Sequence, residues 1–174
     1  MVPRGAKVFI DANAIAGAHD LGCWKAIIPV YRFVSSSLCI EEVTRRNWFG
    51  NRLVKTDPED LKTVVTTVSV SRHDLDQIEY LIEGVTDVHD GEKSLLVLAL
   101  AEKEPFWWLC GPDFGTLKAM HHIYGRHQKP CPIDKMCSLE TLAKGVGIRK
   151  KFEGNYYNLS ESWLQQKRLS LLMK

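Results

Sequence analysis

The chain has 174 residues, 45% hydrophobic and 25% charged, with a formal net charge of +2, which is enough for one domain with its own core. A charge that small neither requires nor excludes an anionic partner, so any basic patch must be local. No apolar run approaches the roughly 18 to 20 residues of a membrane span, and Met1-Val2-Pro3-Arg4-Gly5 lacks the apolar stretch of a secretory signal; the expectation is a cytoplasmic protein whose first five residues carry no weight in the fold.

The run Lys7-Val8-Phe9-Ile10 ends abruptly in Asp11-Ala12-Asn13. It reads as a strand buried on both faces that delivers Asp11 to the open end of a sheet. Ala-rich residues 13–19 begin a helix, and residues 21–28 continue a helical pattern as far as Pro29, with Trp24, Ile27 and Ile28 on one side. Residues 30–34 read as a second strand and Ser35-Ser36-Ser37 as a turn containing a helix cap. In the helical stretch 38–48, Leu38, Cys39 and Val43 share a face. Glu42 lies on the edge of that face and Glu41 about 100° away, so Glu42 is the choice for a site at the mouth of the sheet and Glu41 the other candidate.

Asp57-Pro58-Glu59-Asp60 is a helix start, with a capping aspartate, proline at the first helical position and acids at the positive end of the helix dipole. The β-branched residues 64–70 end this segment as a short strand. Residues 71–84 return to helical spacing, with Leu75, Ile78, Leu81 and Ile82 inward and Gly84 as the stop. His89-Asp90-Gly91-Glu92-Lys93-Ser94 precedes a very apolar helix: Asp90 serves as its cap, Gly91 allows close approach of a neighbour, and Glu92 points off the helix end. Residues 106–110 are a buried strand, Gly111-Pro112-Asp113 a turn and residues 114–124 a helix. Asp113 thus repeats the placement of Asp11.

Residues 130–134 read as one more short strand and 138–145 as a helix with a serine cap and a glycine stop. The composition changes at Arg149-Lys150-Lys151, and 160–173 is an amphipathic helix with Trp163, Leu164, Leu169, Leu171 and Leu172. The division is therefore residues 1–148 as one domain and 149–174 as a basic segment with a helix that packs on its own domain or on a second subunit, giving a homodimer, rather than on a membrane. Cys23, Cys39, Cys110, Cys131 and Cys137 are odd in number and contain no Cys-x-x-Cys pair, which suits reduced thiols.

Strands alternating with helices imply an α/β fold: a three-layer α/β/α sandwich with a parallel sheet of four to five strands and a C-terminal helical extension. The ligand crevice of such a sheet lies beyond the strand C-termini, where the strand order reverses. Asp11, Glu92 and Asp113 fit that rim, and Glu42 joins them if its helix leans in. Carboxylates gathered without compensating bases repel one another and need a cation or protons. Hard oxygen ligands favour Mg²⁺ or Mn²⁺, and the chemistry that follows is phosphodiester hydrolysis.

Val8-Phe9-Ile10-Asp11-Ala12-Asn13, Ser36 through Glu42-Val43, Gly91-Glu92-Lys93-Ser94 ahead of an Ala/Leu-rich helix, and Leu109-Cys110-Gly111-Pro112-Asp113 resemble the four acidic motifs of the PIN-domain family. The resemblance covers about residues 7 to 145. It implies a ribonuclease whose metal-binding acids are Asp11, Glu42, Glu92 and Asp113, with Asn13 orienting the first. It also implies RNA as partner, and a small antitoxin where such a protein is the toxin of a toxin–antitoxin pair. Two features depart from the family: Cys110-Gly111 stands where many members have Thr or Ser, and the tail after Arg149 is additional.

Other readings attach to particular residues. Arg45, Arg46 and Trp48, together with Arg149-Lys150-Lys151, are either solvated charge runs or RNA contacts, with Trp48 able to stack on a base. His121-His122, His127, Cys131 and Cys137 match no common zinc spacing. A catalytically inactive binding module of the same fold is the second functional class. A DNA nuclease resembling flap endonucleases is the third, although the chain lacks room for a helical arch.

Overall fold

Strand β1 (Lys7–Ile10) is the middle strand of a five-stranded, all-parallel sheet. Val8, Phe9 and Ile10 are at most 2% exposed, as an apolar run without alternation requires when helices cover both faces of a sheet. The computed structural model describes residues 1–46, 48–49, 52–53, 56, 58–111, 113–126 and 132–173, without the side chains of Arg46, Trp48, Phe49, Arg52, Leu53 and Pro58.

In chain order, β1 is followed by α1 (Ala12–Asp20), α2 (Trp24–Ile27), β2 (Arg32–Ser36) and α3 (Ser37–Arg46). An antiparallel pair β3 (Trp48–Phe49) and β4 (Arg52–Leu53) comes next, then α4 (Pro58–Val64), β5 (Val65–Val68), α5 (Arg72–Leu81) and α6 (Asp90–Ala101). The second half contains β6 (Trp107–Cys110), α7 (Phe114–Arg126), β7 (Met136–Cys137), α8 (Leu139–Gly145) and α9 (Glu161–Leu172), with 3₁₀ turns at Ile133–Lys135 and Gly154–Leu159. The sheet order is β5-β2-β1-β6-β7. This is an α/β fold that agrees with a three-layer sandwich.

The order places the functional rim. The chain steps outward from β1 through β2 to β5, then returns through α5 and α6 to β6 on the other side of β1. Strand order therefore reverses between β1 and β6, where Phe9 pairs with Leu109 and Ile10 with Cys110. A crevice opens beyond strand C-termini at such a point.

Several local expectations are corrected. The second strand starts two residues late because the N–H groups of Val30 and Tyr31 bond to the Ile27 carbonyl and complete the turn of α2 (3.0 and 3.3 Å). Ser35 and Ser36 consequently belong to β2, and Ser36 caps α3 from the strand, its Oγ accepting from the Cys39 N–H at 3.1 Å. Residues 130 and 131 lie outside the described residues, and Ile133–Lys135 is a 3₁₀ turn; the edge strand is the buried pair Met136–Cys137. Asp57, the expected cap of α4, also lies outside the described residues. The N-terminus has structural weight after all: Val2 is buried in the core and the Gly5 N–H donates to the Val30 carbonyl at 2.8 Å.

The tail belongs to the same hydrophobic core, to which it contributes Phe152, Leu159, Leu164 and Leu171. Lys150 donates to the Leu21 carbonyl at the end of α1, Tyr156 donates to the Asp20 carboxylate, and Arg168 donates to the Met136 carbonyl. Cys23, Cys39, Cys110 and Cys137 are free and buried; Cys131 is outside the described residues. No helix among the described residues is long and apolar enough to cross a membrane. Because Leu164 is 3% exposed, Leu164→Ala is expected to cost about 2 to 5 kcal/mol, measured as a lower urea midpoint. A loss under about 0.5 kcal/mol, typical of a surface site, would mark the tail as an appendage.

Candidate functional site

The four acids reach the rim on four separate segments. Asp11 leaves β1 as the N-cap of α1, with extended backbone (φ −79°, ψ 157°), and its Oδ2 accepts from the Asn13 N–H at 3.1 Å. Its own N–H donates to the Cys110 carbonyl at 3.2 Å, which ties the end of β1 to the end of β6. Asp113 ends the connection out of β6 and its Oδ1 accepts from the Thr116 N–H at 2.7 Å in the first turn of α7. Gly111 makes that connection possible: it has φ +80°, and a Cβ there would stand 2.6 Å from the Ala14 Cβ. Glycine and a small residue on α1 together bring Asp113 in beside Asp11.

Glu92 sits in the first turn of α6, 8% exposed, and its Oε2 accepts from the His89 N–H at 2.7 Å. The cap of α6 is therefore His89 and not Asp90, which is the first helical residue, with its carboxylate 3.4 Å from Lys93 Nζ. A Cβ on Gly91 would lie 3.3 Å from Glu42 Oε2 and 3.4 Å from Cys39 Sγ, so the Glu42 carboxylate rests over the first turn of α6. Glu41 is half-exposed and paired with Arg45 at 3.1 Å, at the edge of the cleft that Glu42 also lines.

Buried hydroxyls hold α3 and α6 in this relation. Ser94 Oγ lies 2.6 Å from Ser36 Oγ and 2.5 Å from the Gly91 carbonyl, while the Cys39 thiol reaches the same carbonyl at 3.4 Å. Ser35 Oγ donates to the Ile10 carbonyl at 2.8 Å and joins β2 to the residue before Asp11. Ser36 and Ser94 fall within the acidic motifs read from the sequence, which assign them no role in joining α3 to α6. A serine at the third position of Glu92-Lys93-Ser94 and two at the end of β2 carry no mark of that role until the strands and helices are placed.

The acids share one electrostatic neighbourhood. Burial pushes Asp11 up to about 7, and the charges of Glu42 and Asp113 add to the rise while the N–H groups of Asn13 and Ala12 oppose it. Burial also pushes Glu92 up to about 9, helped by the charge of Asp113, by a hydrogen bond with it and by the charge of Asp11. No lysine or arginine among the described residues forms an ion pair with Asp11, Glu92 or Asp113. Charge that no base offsets is carried by protons.

The donor set is all carboxylate oxygen, which fits a hard divalent cation such as Mg²⁺ or Mn²⁺. The positions are not those of a closed cage: among the described residues, no three His, Cys, Asp or Glu side chains are grouped so as to hold a metal ion.

The remaining sequence candidates are distributed differently. Asn13 is exposed and steadies Asp11 through its backbone N–H, so its amide is not what orients the acid. Arg45 lines a cleft of about 470 Å³ beside Glu42, Glu41, His89 and Gly91. Arg46 and Trp48 have side chains outside the described residues. Of the zinc candidates, His121 is exposed, Cys137 is buried in β7, and His127 and Cys131 lie outside the described residues. Cys110 is buried directly opposite Cys137, and burial pushes its thiol well up. His89 is the residue the sequence reading passed over, and the cap-to-Glu spacing His89-Asp90-Gly91-Glu92 was the available signal.

Both raised acids bind protons more tightly folded than unfolded. Each therefore contributes stability below about pH 4 that is lost as pH rises, through about 7 for Asp11 and about 9 for Glu92. In EDTA the melting temperature is expected to fall from pH 5 to 9. Asp11→Asn, which keeps the cap and removes the charge, should flatten the Asp11 part and stabilise the chain above pH 7 by on the order of a few kcal/mol. A variant that melts lower than the unaltered chain at pH 8 would contradict this electrostatic account. Compared with family models, with curated proteins and with solved structures, the chain matches none.

Proposed function

We propose that the chain is a Mg²⁺- or Mn²⁺-dependent endoribonuclease of PIN type, hydrolysing RNA phosphodiester bonds at Asp11, Glu42, Glu92 and Asp113. The observation that supports this reading is electrostatic: Glu42 and Asp113 raise Asp11, and Asp113 and Asp11 raise Glu92, so the four acids act on one another beside the ends of β1 and β6. Four carboxylates brought together from β1, α3, α6 and the end of β6 are costly for the fold, and binding a cation offsets that cost.

Asp11 and Asp113, fixed by backbone N–H groups at the starts of α1 and α7, would hold the ion between β1 and β6, with Glu42 and Glu92 completing its oxygen ligands. Bound there, the ion supplies Lewis acidity to a phosphoryl oxygen and an activated water for in-line attack. Glu92, whose carboxyl burial and Asp113 raise in the ion-free site, would give up its proton on taking the ion, because a carboxylate ligates in its ionised form. The buried Ser36–Ser94 contact keeps the two glutamate-bearing helices in register. Under this reading the substrate is RNA, the site of action is the cytoplasm, and the protein serves either in RNA processing or as a toxin held by a small antitoxin.

A second reading, an inactive binding module of the same fold, draws support from the lack of a closed cage among the described residues. Two measurements separate the readings. Mn²⁺ at about a hundred times its Kd should stabilise an intact site by about 2.7 kcal/mol, and single-stranded RNA should be cleaved. Asp11→Asn and Asp113→Asn are each expected to lower cleavage at least about 100-fold, while Glu41→Gln retains it. Full cleavage by Asp11→Asn, in a preparation free of contaminating nuclease, sinks the proposal.

A further inference from the structure

We infer that the C-terminal helix α9 adds to the candidate site a contact for single-stranded RNA, in which the Lys167 ammonium, held over the Phe114 ring, meets a backbone phosphate. The choice of RNA rests on the ribonuclease reading; the phosphate contact rests on the geometry of α9. The start of α9 is fastened at the rim that carries the acids. Ser160 Oγ caps the helix by accepting from the Trp163 N–H at 3.1 Å. Glu161 accepts from Thr141 Oγ1 at 3.1 Å and from Lys144 Nζ at 2.6 Å, and its N–H donates to Glu140 at 2.8 Å. Glu140 and Thr141 open α8, directly after the C-terminal end of β7, and Lys144 lies in its last turn, so the first turns of α9 stand beside the end of that strand.

Trp163 and Lys167, one helical turn apart, face the start of α7. Lys167 Nζ lies 4.8 Å from the centre of the Phe114 ring and 6.0 Å from that of Trp163. Phe114 is the residue after Asp113. Aromatic faces hold an ammonium in place without neutralising it, and Lys167 has no ion-pair partner among the described residues. The neighbouring cations are committed: Lys118, 5.3 Å over the same Phe114 ring, reaches Asp87 at 3.4 Å, and Arg45 on the far side of the site is paired with Glu41 at 3.1 Å.

This asymmetry selects the approach of the substrate. A cluster of carboxylates repels a polyanion, so a strand enters where positive charge is fixed and unspent. Lys167 provides that charge over the ring of Phe114, the residue that follows Asp113 in the chain. The tail, which the acidic motifs alone leave without a role, thereby becomes part of the substrate surface.

The test uses the full chain and a short labelled oligouridylate in EDTA, so that binding is read without cleavage. Affinity is measured between about 50 and 200 mM salt, where each phosphate contact on a single strand contributes about 0.7 to the slope of log K against log salt. Lys167→Ala is expected to reduce the slope by about that amount, and Lys167→Arg to restore it, with both variants folded by circular dichroism. A merely structural lysine would leave the slope alone. An unchanged slope in Lys167→Ala, failure of Lys167→Arg to rescue, or no binding by the unaltered chain overturns the inference. Digestion in Mn²⁺ is scored separately: a chain that binds with the expected slope but never cleaves RNA keeps the phosphate contact and loses the nuclease reading.

Discussion

A carboxylate taken almost wholly out of water at the end of the central strand sets the terms for this protein. Asp11 is 6% exposed, and burying an ionised group is costly unless hydrogen bonds or charge offset it. The first turn of α1 offers part of that compensation, through the Asn13 N–H and the positive end of the helix dipole. Glu42 and Asp113 work against it. The balance leaves Asp11 with a proton affinity near neutrality, and the same competition recurs more strongly at Glu92. The fold thus concentrates its electrostatic strain at the ends of β1 and β6, where the strand order reverses.

The strain is kept local by uncharged groups around it. Ser35, Ser36, Ser94 and the Cys39 thiol connect β1, β2, α3 and α6 through short buried hydrogen bonds. Networks of this kind, once satisfied, specify one arrangement of the elements they join. Gly111 serves the same end by removing a side chain, since it lets the segment carrying Asp113 come closer than a Cβ permits, and at Gly91 a Cβ would crowd the Glu42 carboxylate. Acids, hydroxyls and missing side chains form one unit of design.

Beyond residue 148, charge has been put to two uses. Lys150 and Arg168 spend their donors on backbone carbonyls of Leu21 and Met136, where they fasten the tail to α1 and β7. Lys167 is held by rings instead. The basic triplet that stands out in the sequence is therefore partly consumed by packing, while Lys167, on a helix whose Leu164 and Leu171 belong to the core, forms no ion pair among the described residues. Counting charges along the chain would have ranked these residues the other way round.

Much of the architecture could be read from residue order because its causes are local. Uninterrupted apolar runs made β1 and β6 legible, Ser71, Ser138 and Ser160 announced helix starts, and the acids after two of the strands pointed to a common rim. Errors arose where distant contacts decide: the beginning of β2 waits on the last turn of α2, the cap of α6 passes from Asp90 to His89, and the final strand is a two-residue pair set by its partner Leu109-Cys110. By itself the sequence determined an alternating α/β chain that exports carboxylates at strand and helix ends, since periodicity, capping and turn chemistry act within a few residues. Only the tertiary structure decided that Glu42 overlies Gly91, that buried serines lock its helix to that of Glu92, and that Lys167 stands beside Phe114, because each depends on segments far apart in the chain meeting at one end of the sheet.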